Sequence, residues 1–343
     1  MKKYLLLLAT LLLYQSCKKS TNTTPEILIT DHEVSVSGPK FPQNTSVTQG
    51  DINYNLLGYG YDVTGKYADT SAVRNPVINI NSYATDDPYR VVITRYFTSE
   101  FPVVEAIDAE DLSNKLSSKI SATKGLNLFK GTITSAFAEP DALSKKYIYA
   151  RYSIVAQQQI VKISPFYTEH LVDYLTSAFK QDIQSLTASD LVKKYGTHIL
   201  SNISKGCRFN VIYQGKLKDE NNRTETVKSG FRFALKKTFG FSVFLDPTAI
   251  DPKNFQSIES AKVDYDVQGG DPSRIKVVSF PQKTVVNISD WSNNLTEEKA
   301  VFIDINQQGL IPLYDLISDS IRKTAVKDYI TSYLSSNQVK LTN

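Results

Sequence analysis

Residues 195–207 read Tyr195-Gly-Thr-His-Ile-Leu-Ser-Asn-Ile-Ser-Lys-Gly-Cys207, and the segments on either side of them indicate how the chain folds. Before them, Thr187-Ala-Ser-Asp190 has the form of a helix capping box, which predicts a capped helix running into Tyr195. After them, Phe209, Val211 and Tyr213 alternate with Asn210 and Ile212, which predicts a strand. A helix, the Gly-Thr-His segment and a strand therefore follow one another along the chain.

Three other stretches are predicted to form strands. Residues 91–97 are rich in β-branched and aromatic side chains, and residues 147–163 contain no glycine or proline. Residues 261–267 alternate cleanly between apolar and polar side chains. Long inserts rather than tight hairpins separate the strands, so the chain reads as α+β, with helices around a small antiparallel sheet.

Two inserts show helical spacing of apolar side chains. Between residues 171 and 179 the apolar positions follow the i, i+3, i+4 rule. A second apolar stripe near the end predicts another helix pair; its members are Leu313, Leu316, Ile317, Ile321, Ala325, Tyr329 and Tyr333.

Tyr195-Gly-Thr-His198, followed by Ile199, six residues and Gly206, resembles the signature of the membrane-attack-complex/perforin (MACPF) superfamily. That signature ends in Gly-Gly, whereas Cys207 stands at the second position here. The family's glycines lie where long strands bend sharply, and a side chain there makes the bend less free.

Other segments resemble the family in order and spacing. They are Gly58-Tyr-Gly-Tyr-Asp62, Gly269-Gly270 at the end of the fourth strand, Trp291, and Leu310-Ile-Pro-Leu313 before the last helices. The resemblance covers roughly residues 50 to 335. It implies a MACPF fold over residues 51–343: a long, bent, four-stranded antiparallel sheet flanked by two helical clusters, with further helices.

The resemblance also implies that two helical clusters between the strands unfurl into membrane-inserting β-hairpins. Here those clusters correspond to residues 106–145 and 220–260. In the first, Leu112, Leu116 and Ile120 are spaced by four, which indicates a helix, and its β pattern is only partial.

The second cluster contains a segment whose apolar residues fit two periods. At period two, one face is apolar apart from Ser229 and Lys237 and is the predicted membrane-insertion face, comprising Val227, Phe231, Phe233, Leu235, Phe239, Phe241, Val243 and Leu245. This run exceeds the roughly 9–11 residues with which a tilted strand crosses a bilayer. Val227, Phe231, Leu235 and Phe239 are also spaced by four, as on a helix face. An ordinary soluble amphipathic strand is the alternative, and the returning arm at 255–259 alternates poorly.

The N-terminus predicts export. Two lysines, an apolar run too short to span a bilayer as a helix, and Ser16-Cys17 resemble a bacterial lipoprotein leader, although Tyr14 replaces the usual leucine. We therefore expect residues 1–16 to be a signal peptide and Cys17 to be lipidated. Residues 17–50 are expected to form a polar tether.

Composition excludes several classes of function. The net charge of +4 is small for 343 residues, and the basic residues do not cluster into a stripe along the sequence. Nucleic acid is therefore not an expected partner. The spacing of histidines and cysteines predicts no metal site, and no cofactor is expected. Tyr195 and His198 have no nucleophile or carboxylate at motif spacing, Cys207 reads as a small buried residue, and Asp264 and Asp266 as a solvated face. No catalytic residue is therefore predicted.

The hypothesis drawn from the resemblance is an exported, lipid-anchored protein at the outer membrane or cell surface, or released from it, that forms pores in competing bacteria. Its partners would be target-membrane lipids and copies of itself in a ring or arc, because hairpins from one chain leave open edges in a bilayer. A surface receptor, glycan or protein, is a further candidate partner. The alternative is a non-lytic adhesion or glycan-binding lipoprotein. An enzyme is not expected, because the sequence contains no set of residues that would form a catalytic site.

Overall fold

In the computed structural model, Tyr147–Ile163, a long run without glycine or proline, forms one main strand, and Asn202–Leu217, which contains Gly206 and Gly215, forms its neighbour. The structure describes residues 33–39, 50–51, 53–219, 222–240, 252–280, 283–293 and 295–342. The signal peptide at 1–16, Cys17, and Phe241, Val243 and Leu245 of the predicted insertion face lie outside the described residues.

The strands are, in chain order, β1 Val34–Ser37, β2 Tyr59–Tyr61, β3 Val73–Pro76, β4 Val91–Glu100, β5 Val103–Ala106, β6 Tyr147–Ile163, β7 His198–Leu200, β8 Asn202–Leu217, β9 Ile258–Gln268, β10 Lys276–Phe280, β11 Lys283–Asn287, β12 Val301–Ile305 and β13 Leu310–Pro312. The α-helices are α1 Ile80–Asp86, α2 Ala109–Ser117, α3 Gly131–Thr134, α4 Ser177–Ser185, α5 Ala188–Tyr195, α6 Arg223–Phe239, α7 Pro252–Gln256 and α8 Ser320–Asn337. Short 3₁₀ helices lie at Thr70–Ala72, Ser121–Thr123, Pro165–Tyr174, Pro272–Arg274, Glu297–Lys299 and Leu313–Leu316.

The main sheet has the strand order β1-β9-β8-β6-β4, with β12 also paired to β8 and β5 to β6. Its four long strands, β9, β8, β6 and β4, are antiparallel throughout, which confirms the predicted four-stranded antiparallel sheet. A second sheet has the order β13-β7-β2-β3, and β10 and β11 form a separate hairpin. Strand β1 lies within the predicted tether at 17–50 and pairs in parallel with β9, so part of that stretch joins the domain's sheet.

The main sheet is irregular at one level. The register of β6 against β8 shifts between Gln157 and Gln159, opposite Gly206 and Lys205. At the same level β4 shifts between Arg95 and Thr98, and β12 shifts opposite Lys205. Bulges bend strands and increase their twist, so the aligned shifts produce a bend across the sheet at Gly206.

The two faces of the main sheet differ in polarity because side chains alternate along each strand. Phe209, Val211 and Tyr213 of β8, with Val263 and Tyr265 of β9, form an apolar face, and all five are buried. Helix α6 packs on this face. The opposite face contributes Tyr149 and Ile212 to the main hydrophobic core, together with polar side chains described below.

The prediction of one continuous helix over residues 171–179 is wrong, because two separate helices share this stretch. A 3₁₀ helix ends at Tyr174, the carbonyl of Tyr174 accepts from the Asn79 amide (2.8 Å), and Leu175 forms an isolated bridge with Ile78. Thr176 then caps α4, because its Oγ1 accepts from the Phe179 amide at 3.3 Å.

The apolar stripe predicted near the C-terminus is also wrong, because the helix buries different positions from those predicted. Ile321 is 81% exposed and Ala325 is exposed, whereas Val326 and Ile330 are buried. The reason is that Asp319 caps a new helix, its Oδ1 accepting from the Arg322 amide at 2.7 Å, so α8 does not continue the rotation of the preceding 3₁₀ helix.

Candidate functional site

The signature segment links helix α5 to the second sheet. The Tyr195 hydroxyl donates to Oδ2 of Asp182 at 2.5 Å, which fixes the end of α5 against α4. Gly196 then adopts φ 78° and ψ −168°, a region that is essentially reserved for glycine. A Cβ on Gly196 would lie 2.5 Å from the carbonyl carbon of Tyr61, so backbone contact also requires glycine there.

Thr197 and His198 complete this link with buried hydrogen bonds. The Thr197 amide donates to the Tyr61 carbonyl at 3.0 Å, and its Oγ1 accepts from the Val63 amide at 3.3 Å. Nδ1 of His198 lies 2.9 Å from that Oγ1. Burial lowers the pKa of His198 to about 4, so the imidazole is neutral near pH 7 and its contacts are structural.

The other signature residues gather at the bend of the main sheet. A Cβ on Gly206 would lie 2.1 Å from the Ala156 carbonyl oxygen, and one on Gly269 would lie 2.6 Å from the Gly206 carbonyl oxygen. The Trp291 indole N–H donates to the Gly269 carbonyl at 3.1 Å, and its side chain closes over Gly270. The structure thus brings Gly206, Gly269, Gly270 and Trp291 together, whereas residues 195–198 lie apart from them, between the end of α5 and the first residue of β7 in the second sheet.

Cys207 occupies the bend without a second glycine. Its thiol is free and fully buried, and burial raises its pKa to about 12. Since the thiolate is the nucleophile, this cysteine is inert in the folded state.

Helix α6 carries the described part of the predicted insertion face. Val227, Phe231 and Leu235 are fully buried, and Phe239 is almost so. Phe233 is only half-buried and packs against Phe255 with the two rings tilted at 54° and 4.3 Å between their centroids. The helical period therefore determines burial in this state.

Aromatic contacts join α6 to the apolar face of the sheet. The ring of Phe231 lies 5.7 Å from that of Tyr213, and Phe239 lies 5.5 Å from Phe209 and 5.9 Å from Tyr265. Gly230 allows the close approach, because a Cβ there would lie 2.4 Å from the hydroxyl oxygen of Tyr213. Each fully buried side chain of this size contributes roughly 1.5–3 kcal/mol to keeping the helix in place.

Two arginines add polar contacts along the same helix. Arg223, at its first turn, donates to the carbonyl oxygens of Ile107 (2.8 Å), Lys145 (2.8 Å) and Tyr147 (2.9 Å). Nη1 of Arg232 lies 3.0 Å from Oε1 of Glu105 on β5. Helix α6 is therefore held by apolar packing on the sheet and by a few charged groups at β5 and β6.

The first cluster, 106–145, is also helical in this state. Asp108 caps α2, with Oδ1 accepting from the Asp111 amide at 2.8 Å. Leu112, Leu116 and Ile120 are all buried, as their spacing predicts, although α2 ends at Ser117.

A buried polar row crosses the opposite face of the sheet. Ser153, Asn210 and Asp266 are in cross-strand register on β6, β8 and β9. Oγ of Ser153 donates to Asn210 at 3.0 Å, Nδ2 of Asn210 donates to Asp266 at 3.1 Å, and Asp266 lies 2.7 Å from Nζ of Lys66. The predicted solvated face at Asp264 and Asp266 is therefore wrong in part: both side chains are only partly exposed, Asp264 accepts from Ser37 Oγ at 2.7 Å, and Asp266 is paired with Lys66.

Arg208 is a residue of this face that sequence reasoning missed. It is 1% exposed, and Nη2 donates to the Ala68 carbonyl at 2.8 Å while Nη1 donates to the Ile303 carbonyl at 2.5 Å. Its alternation with Phe209 along the strand was the available signal, since it places Arg208 beside Asn210.

Within the described ranges, no group of three or more His, Cys, Asp or Glu side chains could hold a metal ion. None of the helices described is both long and apolar enough to span a membrane.

A bent antiparallel sheet whose apolar face is covered by an amphipathic helix, with a Tyr-Gly-Thr-His segment at its side, defines a perforin-type domain. The family model for the MAC/Perforin domain matches residues 39–342. The chain therefore belongs to the MACPF family, and the fold predicted from the signature is confirmed.

Solved structures show the same fold. A protein with a MAC/Perforin domain from Bacteroides thetaiotaomicron superposes with a TM-score of 0.66 at 17% identity, over 84% of this chain and 63% of that one. GNIP1Aa from Chromobacterium piscinae gives a TM-score of 0.63 at 17% identity, over 85% of this chain and 58% of that one. This chain thus spans about 60% of the length of either structure, and the likeness shows the fold alone. No curated protein matches the sequence.

Proposed function

We propose that the chain is an exported, lipid-anchored protein that damages the membranes of competing bacteria by assembling into rings and inserting two segments as hairpins. Helix α6 carries this proposal. It is amphipathic at the helical period on the sheet, and the same residues give an apolar face at the strand period. A segment with that property can exchange a water-soluble helix for a lipid-facing strand.

The packing of α6 supports the exchange energetically. The helix shields the apolar face of the main sheet, and the sheet shields the apolar face of the helix. Neither surface can be exposed to water alone without losing that burial. Release therefore becomes favourable only where the helix residues meet lipid and another surface covers the sheet.

The charged residues of α6 set where release begins and what opposes insertion. Arg223 and the Arg232–Glu105 pair attach it to β5 and β6, so they must separate first. Lys237 lies on the apolar face of the inserted strand and would cost about 2–4 kcal/mol at the bilayer midplane, less near the interface.

Ring assembly would use the two long edges of the sheet. The four long strands alternate in direction, so the two edge strands, β4 and β9, run in opposite directions. When copies stand side by side in the same orientation, β4 of one copy therefore meets β9 of the next in antiparallel orientation, which continues the sheet. On β4, Tyr96 and Phe97 are 44% and 69% exposed. On β9, strand β1 occupies positions 261–264 and would have to leave. Parallel pairs are slightly less stable per residue, so a four-residue parallel strand is a replaceable cover.

A crosslink between α6 and the sheet tests the exchange. Arg232 and Glu105 face one another, so cysteines at these two positions can be joined by a short bifunctional maleimide, with Cys17 and Cys207 replaced by serine. We expect the crosslinked protein to bind vesicles and to release no dye, and the same protein without crosslinker to release it.

Asp315 and Lys323, whose charged atoms lie 3.0 Å apart, provide a matched crosslink away from α6. That crosslink should leave dye release intact. Dye release that persists with residues 105 and 232 joined would refute the exchange. Vesicle binding without release or rings, in the uncrosslinked protein on several lipid mixtures, would favour the non-lytic adhesion protein instead.

A further inference from the structure

The β10–β11 hairpin presents an exposed apolar strand beside α6. All five residues of β10 are exposed, and Val277, Val278 and Phe280 are 45%, 50% and 56% exposed. Exposed apolar side chains grouped on one short strand mark a surface that contacts something.

The hairpin is anchored on its inner strand. Val286 of β11 is fully buried, and β11 packs against α6. Just beyond it, Trp291 is buried under the bend, with its ring 6.1 Å from that of Phe209. The exposed residues of β10 are therefore held at a fixed position outside α6.

The charge of the hairpin identifies the kind of surface that it fits. The hairpin, residues 276–287, contains Lys276 and Lys283 and no acidic residue; Asp271 and Arg274 precede it and Asp290 follows it. Asp271 pairs with Arg274 at 3.1 Å, which leaves the lysines as the charged residues of the hairpin itself. Apolar side chains flanked by lysines suit the interface of an anionic bilayer.

We propose that β10 is the strand with which this protein first contacts an anionic phospholipid surface, with Val278 and Phe280 entering the interface and Lys276 at the headgroups. The choice of a membrane as the partner of β10 rests on the proposed function. It does not require insertion, because docking precedes any movement of α6. The inner face of the same hairpin touches α6, so contact with lipid would act directly on the helix that is to be released.

Vesicle sedimentation tests the assignment on the full chain. Vesicles of phosphatidylcholine alone are compared with vesicles containing one third phosphatidylglycerol. We expect preferential binding to the anionic vesicles. Val278→Ser with Phe280→Ser should weaken that binding at least tenfold, because two half-exposed side chains lose their burial in the interface. Lys276→Glu should weaken it at least fivefold, since each basic residue near the surface contributes about that factor.

Ile321→Ser is the matched control, because Ile321 on α8 is the most exposed of the large apolar residues described. It should bind as the wild type does. Unchanged binding of the hairpin variants, equal loss in the Ile321 variant, or no preference for anionic vesicles would each overturn the assignment. So would a change of oligomeric state in the hairpin variants without lipid, which would place a second copy on β10. Dye release recorded on the same samples separates the two proposals: docking without release leaves the assignment standing and refutes insertion alone.

Discussion

Protonation of His198 should destabilise the folded protein in mildly acidic solution. Burial lowers the pKa of this imidazole from 6.5 to about 4 in the folded state. The unfolded chain therefore binds a proton between pH 6.5 and pH 4 that the folded chain does not. Stability is complete above the unfolded pKa and falls as the pH drops through this window, by about 1.4 kcal/mol per pH unit. The loss is about 2 kcal/mol at pH 5 and about 3 kcal/mol at pH 4.

Urea unfolding at pH 7.5, 6.5, 5.5 and 5.0 measures this loss, with the fluorescence of the single Trp291 as the signal. His198→Gln removes the titrating group. From pH 7.5 to pH 5.0 the free energy of unfolding of this variant should therefore fall by about 2 kcal/mol less than that of the wild type. Asp264, whose pKa burial raises, acts in the opposite direction in both proteins and cancels in the comparison. Parallel slopes for wild type and His198→Gln would refute the reasoning.

Three further predictions concern the signature segment and the bend. Gly196→Ala should cost at least about 2 kcal/mol in urea unfolding, because it adds an unfavourable φ to a backbone clash; a loss below about 1 kcal/mol would contradict this. Tyr195→Phe should cost about 1–2 kcal/mol by losing the 2.5 Å hydrogen bond to Asp182, and Asp182→Asn, which also removes the 2.5 Å ion pair with Lys194, should cost at least as much. In a Cys17→Ser protein, Cys207 should react with a disulfide reagent at pH 8 at least a hundredfold more slowly in buffer than in urea; rapid labelling in buffer would disprove its burial.

Elements set by local chemistry were predictable from the sequence. Strand β6 runs from Tyr147 to Ile163, as predicted, because neither glycine nor proline interrupts it. Thr187 caps α5, since its Oγ1 accepts from the Asp190 amide at 3.1 Å, as the capping box implies. The signature glycines were predicted from the family resemblance instead, and the structure gives the reason for Gly206, which lies against the Ala156 carbonyl of the neighbouring strand.

Elements set by tertiary contacts were not predictable. Apolar spacing across Leu175 and across Ile317 continues a helical pattern, yet a new cap restarts the helix in each case and changes which side is buried. Asp266 looks like a solvated residue on an alternating strand because its partner, Lys66, is distant in sequence. The exposure of β10 follows from the position of β11 on α6, which no local pattern encodes.

The helix α6 and the strand proposed for its inserted form share most of their apolar positions, because multiples of four satisfy both periods. They differ at Phe233 and Lys237, which the helix leaves half-buried and which the inserted strand turns towards lipid. Phe233→Ser should therefore cost the folded state only about 1 kcal/mol, whereas each inserted copy loses roughly 2–3 kcal/mol of burial. Lys237→Leu should act in the opposite direction on insertion by removing the cost of a charge among lipids.

Dye release at equal vesicle binding, read beside urea unfolding, separates these effects. Phe233→Ser should slow release markedly with nearly wild-type stability, and Lys237→Leu should accelerate it. Phe231→Ser is the matched control, because Phe231 is fully buried in the helix and also lies on the apolar face of the proposed strand. It should lose about 3–5 kcal/mol of stability as well as activity. If Phe233→Ser releases dye at the wild-type rate, residue 233 does not face lipid, and the inserted form of α6 is not the strand that its period-two pattern implies.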